Sequence, residues 1–125
     1  MIDIKVILEK HAIWLKSFGE KGERADLTDA NLRGANLRGA DLTDANLTDA
    51  NLDFSAFPLW CGGLDVHIDD RQAVQLLYHI VRNVQFSKNT SEELKSVLLT
   101  KEIIDKANEF HRVGELPKIT MKDDE

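Results

Sequence analysis

Residues 25 to 59 repeat with a period of five, which is incompatible with both common ways of burying a side chain. A small residue, a spacer and a large apolar residue recur as Ala25-Asp26-Leu27, Ala30-Asn31-Leu32, Ala35-Asn36-Leu37, Ala40-Asp41-Leu42, Ala45-Asn46-Leu47 and Ala50-Asn51-Leu52, followed by a degenerate seventh unit, Ser55-Ala56-Phe57. At helical pitch the leucines would spiral around every side, and in a flat strand they would change face at each repeat. Neither arrangement buries Leu27, Leu32, Leu37, Leu42, Leu47 and Leu52 together. A right-angled coil with one pentad per side does. Each side sends its leucine inward, its alanine into the tight interior and its last two residues to an outer corner. Phe57 closes the same inner row.

The pattern resembles the pentapeptide-repeat family. That resemblance implies a short right-handed quadrilateral β-helix of about two coils, with four pentapeptides per coil. Four sides make residues i and i+20 stack, placing Thr28 and Asp29 beside Thr48 and Asp49, Arg33 beside Asp53, and Arg24 beside Asp44. Exposed opposite-charge pairs of this kind are worth only about 0 to 1 kcal/mol, so they support register more than stability. Seven units make 1.75 coils. So short a solenoid with open ends exposes apolar side chains and unpaired backbone, and its flanks are expected to cap it.

The flanks read as helices. Ile4, Ile7, Leu8, His11, Leu15 and Phe18 share one face of a helix over residues 3 to 17, extended by Trp14 and ended by Gly19 and Gly22. After the aromatic junction Phe54 to Gly63, the alternation Leu64-Asp65-Val66-His67-Ile68 predicts a short strand. Asp69 or Asp70 then caps a helix over about residues 70 to 85 with an inner face of Ala73, Val74, Leu77, Ile80, Val81 and Val84. Thr90 or Ser91 starts a third helix. Thr100 starts a fourth, with Ile103, Ile104, Ala107, Phe110 and His111 on one side, stopped by Gly114 and Pro117. The organisation expected is an N-terminal capping helix (1–22), the repeat coil (23–59), a C-terminal helical cap (60–117) and a flexible tail (118–125), forming one cooperative domain. Flanking segments such as Leu8-Glu9-Lys10-His11-Ala12-Ile13-Trp14-Leu15, Phe57-Pro58-Leu59-Trp60-Cys61-Gly62-Gly63, Asp69-Asp70-Arg71 and Phe110-His111-Arg112-Val113 are similar to those of small pentapeptide-repeat proteins of phages and prophages.

Chemistry-bearing residues are sparse. Cys61 with His67, flanked by Asp65 and Asp69, falls short of the paired spacings and four ligands of a zinc site. It also lacks the third orienting group of a nucleophilic pair. Cys61 reads as a small buried residue, His11 and His111 as packing histidines, and Tyr78 and His79 as surface or rim positions. Gly34 and Gly39 fall at repeat corners rather than in a phosphate-binding loop. No catalytic residue, metal or cofactor is expected. A single cysteine, no apolar run long enough to span a bilayer and no basic leader point to a reducing cytoplasm.

Charge supplies the functional reading. With 22 acidic against 16 basic residues, the net charge of −6 opposes direct binding to nucleic acid or anionic lipid and favours a basic protein partner. The corner residues Asp26, Asp29, Asp41, Asp44, Asp49 and Asp53 form the candidate partner-binding face. Some members of the family resemble DNA in shape and charge and act on gyrase. Here, rungs about 4.8 Å apart give the repeat a rise of under ~10 Å against about 34 Å for one turn of duplex, so a duplex-length mimic is excluded. The sequence-level expectation is a noncatalytic module that inhibits a bacterial nucleic-acid-binding complex, such as a defence nuclease or CRISPR effector, in the host cytoplasm. The alternatives are a structural module that stacks into a homodimer and a gyrase-directed DNA mimic.

Overall fold

The computed structural model describes residues 3–110 and 118–120. Regular elements among them are all helical: α1 (Ile4–Lys16), α2 (Asp70–Phe86), α3 (Glu92–Leu98) and α4 (Lys101–Ala107), with 3-10 turns at Cys61–Gly63 and Asn108–Phe110. The chain divides into two compact units, residues 1–69 and 70–125. No helix among the described residues is long and apolar enough to cross a membrane.

The expected quadrilateral β-helix is corrected by this structure. The described residues contain no β-strand and no sheet, only four isolated parallel bridges: Asp26 with Asn46, Asn31 with Asn51, Asn36 with Ala56, and Asn46 with His67. The reason lies in the pentad. Leu27 C=O accepts from Ala30 N–H at 3.0 Å, Leu32 from Ala35 at 2.9 Å and Leu42 from Ala45 at 2.8 Å, so every side is spent on a turn. Only the Asp or Asn before each leucine is left to bridge, and single bridges separated by turns never become consecutive ladder pairs.

What the bridges do build is a coil of turns with a twenty-residue period. Leu27, Leu32 and Leu37 N–H donate to Asn46, Asn51 and Ala56 carbonyls at 2.8, 2.9 and 2.9 Å. The N–H groups of Asn46, Asn51 and Ala56 return to Ala25, Ala30 and Ala35. This pairing seals the core: all six repeat leucines are buried with Ala25, Ala30, Ala45 and Ala50, while Phe57 and Val66 pack against them partly buried. Burial of one leucine contributes about 1.5–3 kcal/mol, so this row is the main stabilising term of the first unit.

The coil runs beyond the recognisable pentads. Leu42 N–H donates to Gly62 C=O at 2.7 Å, Asp44 to Asp65 at 3.0 Å, and Leu47 to His67 at 2.9 Å, with His67 N–H returning to Ala45. The predicted strand at 64–68 is therefore a further side of the coil, bridged at His67 alone. The pairing interval lengthens by one residue at Leu42 and Leu47 and by two at the Asp44 corner, and the 3-10 turn Cys61–Gly63 lies in this irregular step. Where a regular side would place a backbone N–H against Ala40 C=O, the Trp60 indole N–H donates instead, at 2.9 Å.

At the other end, Asp3 caps α1 by accepting from Val6 N–H, and Ile4, Ile7 and Leu8 pack on the coil core as predicted. Phe18 does not join that face. The helix stops at Lys16, Phe18 takes a left-handed φ of 54°, and its side chain is 96% exposed. Gly22 has φ 73°, and a Cβ there would lie 2.4 Å from Lys10 O, so only glycine fits where the chain turns back along α1.

In the second unit, Tyr78, Val81, Ile104, Ala107, Phe110 and Ile119 form a separate core. Two expectations change here. Tyr78 is buried against Phe110 rather than on the rim, whereas Ala73 and Ile80 of the predicted inner face are exposed. Ile119, assigned from sequence to the flexible tail, is buried. Its N–H donates to Asn108 Oδ1 and its C=O accepts from Asn108 Nδ2, both at 2.8 Å. Ser91 and Thr100 are the caps of α3 and α4. His111, Gly114 and Pro117 lie outside the described residues, as does most of the predicted tail.

Candidate functional site

The six candidate aspartates occupy three kinds of position, each produced by the local geometry of the pentad. Asp26 and Asp41 stand just before a leucine. Their Oδ1 atoms accept from the N–H groups of Thr28 and Thr43, both at 3.1 Å, as do Asn31, Asn36, Asn46 and Asn51 at equivalent points. Asp29, Asp44 and Asp49 are corner residues with φ of 62°, 64° and 64°. Gly34 and Gly39 take the same role at φ 71° and 75° with open space around them. Asp53 lies under Arg33, whose guanidinium is 3.8 Å from its carboxylate and 4.4 Å above the Phe54 ring.

The acidity of Asp26 is set by its surroundings. The Thr28 hydroxyl, then the Thr28 N–H, and to a smaller extent the Arg24 charge stabilise its carboxylate and hold its pKa below the usual carboxylate range. A carboxyl with a lowered folded-state pKa contributes stability above its unfolded pKa and loses it as pH falls through the folded value. NMR titration of the side-chain carboxyl should therefore find Asp26 midpoint below that of Asp26 in a Thr28→Val variant. Equal midpoints would remove the Thr28 hydroxyl as the cause.

Corner geometry yields a second prediction. An L-residue other than Gly, Asn or Asp in the left-handed region costs about 1–2 kcal/mol. Asp29→Gly should leave the urea midpoint close to that of the parent, and Asp29→Val should lower stability by about that amount. Equal losses for both would mean that the carboxylate, not the backbone conformation, governs the corner.

The stacked charges arrive only in part as the sequence suggested. Arg33 and Asp53 pair, but Arg24 reaches Asp44 through its backbone: Nε donates to the Asp44 carbonyl at 2.6 Å. His67 Nε2 lies 3.9 Å from an Asp44 carboxylate oxygen. Cys61 is exposed rather than buried. Asp69 Oδ2 accepts from Asp49 N–H at 2.7 Å, which ties it to the coil. Among the described residues no three His, Cys, Asp or Glu side chains stand close enough to hold a metal.

His11 is the buried polar group of the first unit, and both its nitrogens are satisfied. Nδ1 accepts from Ala25 N–H at 3.0 Å, which leaves Nε2–H to donate to Thr43 C=O at 2.8 Å. Its ring stacks on Trp14 at 5.7 Å. The packing role read from the sequence is the observed one, with a fastening role added: a single imidazole ties α1 to two pentads. In the second unit His79 Nδ1 donates to Gln75 C=O at 2.8 Å, and its ring lies beside Tyr78 and Phe110.

Sequence reasoning passed over the charge distribution around the second coil. Between Arg38 and Arg71 the chain has no lysine or arginine but holds Asp41, Asp44, Asp49, Asp53, Asp65, Asp69 and Asp70. The hydrogen bonds described above put most of this stretch on two successive turns of one coil. A charge count over residues 39–70 would have found it.

The family model for pentapeptide repeats, in eight copies, matches residues 24–57, the stretch in which the twenty-residue pairing is regular. No curated protein and no solved structure matches the chain.

Proposed function

As the chain belongs to the pentapeptide-repeat family through residues 24–57, we propose that it works as a noncatalytic binding module whose acidic coil docks onto a basic protein. The family points to a protein-interaction or structural module, and its members are generally noncatalytic. The observation that carries the finer reading is the stretch 39–69, which holds six aspartates and no lysine or arginine and is wound on a leucine-filled coil. A surface that rigid loses little conformational entropy on binding, and its field attracts a partner that is itself built to hold phosphates. The partner is a bacterial nucleic-acid-binding complex, such as a defence nuclease or CRISPR effector, and the module inhibits it by covering the nucleic-acid path.

The test is capture from bacterial lysate by the tagged chain, followed by competition with duplex DNA or RNA. A dominant partner released by nucleic acid in proportion to its own affinity for it is the expected result. A partner indifferent to nucleic acid, or self-association alone, overturns the inhibitor reading.

A further inference from the structure

Among the described residues of the coil, Phe54 faces out at a corner but is covered by the Arg33 guanidinium. At the irregular step after Phe57 three further apolar residues face out: Leu59 is 97% exposed, Trp60 49% and Leu64 60%. The central one, Trp60, is held there by built contacts. Trp60 is pinned by its indole N–H on Ala40 C=O, and Gly62 lies so close beneath the ring that a Cβ would come within 2.3 Å of it. Gly63 likewise abuts Pro58, where a Cβ would meet the carbonyl oxygen at 2.0 Å. An aromatic fixed in this way is pre-organised for contact, the property that distinguishes interface anchors.

The surroundings select what can cover this patch. Residues 60–65 are hydrogen-bonded onto residues 40–44, so Asp41, Asp44 and Asp65 border the apolar shoulder; Arg24 reaches the Asp44 carbonyl and offsets them in part, and no lysine or arginine lies between Arg38 and Arg71. An anionic membrane or a nucleic acid is repelled by that border. A second copy docked through the same face by a two-fold axis would bring two faces of like charge together.

We propose that the Leu59–Leu64 shoulder receives a basic segment of the partner protein, seating an aliphatic or aromatic side chain of that segment against Trp60 and its flanking cations on Asp41, Asp44 and Asp65. This inference rests on the protein-binding reading above and deepens it by naming the surface and the chemistry of the segment bound. The apolar contact supplies a hold that salt does not screen, and the aspartates supply orientation and rate of encounter.

The experiment is an NMR titration of the full chain with three short synthetic peptides of equal length: alternating lysine and leucine, lysine and glycine, and glutamine and leucine. The lysine–leucine peptide should produce saturable shifts of the Trp60 indole N–H and the Gly62, Leu64 and Asp65 amides, and each control should bind about ten-fold more weakly. Substituting D41N, D44N and D65N together should also weaken binding about ten-fold with the remaining resonances in place, because asparagine keeps the turn-capping oxygen at 41 and tolerates the left-handed φ at 44 and 65. Shifts centred on α2 to α4, equal binding of the lysine–glycine peptide, unchanged affinity of the asparagine variant, or no saturable shift would each overturn the proposal. Peptide binding here without capture of a nucleic-acid-binding partner keeps the surface and removes the inhibitor reading. Capture of such a partner that Leu59→Ser with Leu64→Ser leaves unchanged removes the surface and keeps that reading.

Discussion

Leu42→Asp is expected to unfold the first unit. Leu42 is fully buried, its N–H and C=O both serve the coil, and its neighbours in the core are other repeat leucines and alanines with no cation among them. A carboxylate there has no partner, and an unpaired buried charge costs far more than a domain's marginal stability supplies. Leu42→Ala, which opens a cavity without adding charge, should cost about 2–5 kcal/mol, and Leu42→Met less than about 1.5 kcal/mol. Urea unfolding followed by Trp fluorescence separates the three. A folded Leu42→Asp protein with parent-like amide dispersion at Leu27, Leu32 and Leu47 would refute the leucine-filled interior.

His11→Ala should be the next most damaging change, larger than its polar character suggests. It strips away both the acceptor for Ala25 N–H and the donor for Thr43 C=O, and each buried polar group left unpaired costs about 1–3 kcal/mol. The loss of ring packing against Trp14 adds to this. The summed loss should fall around 3–5 kcal/mol, near the upper end for a single substitution. His11→Asn retains an oxygen in reach of the Ala25 side and should recover part of it. If His11→Ala loses less than about 1 kcal/mol in urea, the imidazole is not the fastening between α1 and the coil.

The inward row was legible because leucine at every fifth position has one common solution, and the same arithmetic supplied the twenty-residue pairing. The β-helix was over-read. It came with the family resemblance, whereas a five-residue side that closes a hydrogen bond from Ala30 N–H to Leu27 C=O has one residue left to bridge. Phe18 misled through its spacing: it sits on the helical period, but the chain leaves the helix at Ser17 before reaching it. Tyr78 and Ile80 changed places because the spacing of apolar residues along α2 does not say which neighbour supplies an aromatic partner, and Phe110 lies distant in sequence.

The candidate site was visible as charge and hidden as geometry. Aspartate at 29, 44 and 49 reads equally as a binding feature or as a residue that tolerates a left-handed corner, and φ values near 60° establish the second role without removing the first. Residues 60–69 were hidden for a different reason. Their side chains no longer follow the pentad, so the continuation of the coil is carried by backbone pairing and by one indole N–H, neither of which leaves a periodic mark.

That double role of the corners defines the decisive measurement. Asp29→Gly, Asp44→Gly and Asp49→Gly combined in one chain remove three charges while supplying the residue that Gly34 and Gly39 already use at equivalent corners. Partner capture and urea unfolding should be measured on the same preparation near physiological salt, about 0.15 M. The account predicts parent-like stability with capture lost or strongly reduced. A folded triple variant that captures its partner undiminished would contradict the claim that this coil binds through its acidic face.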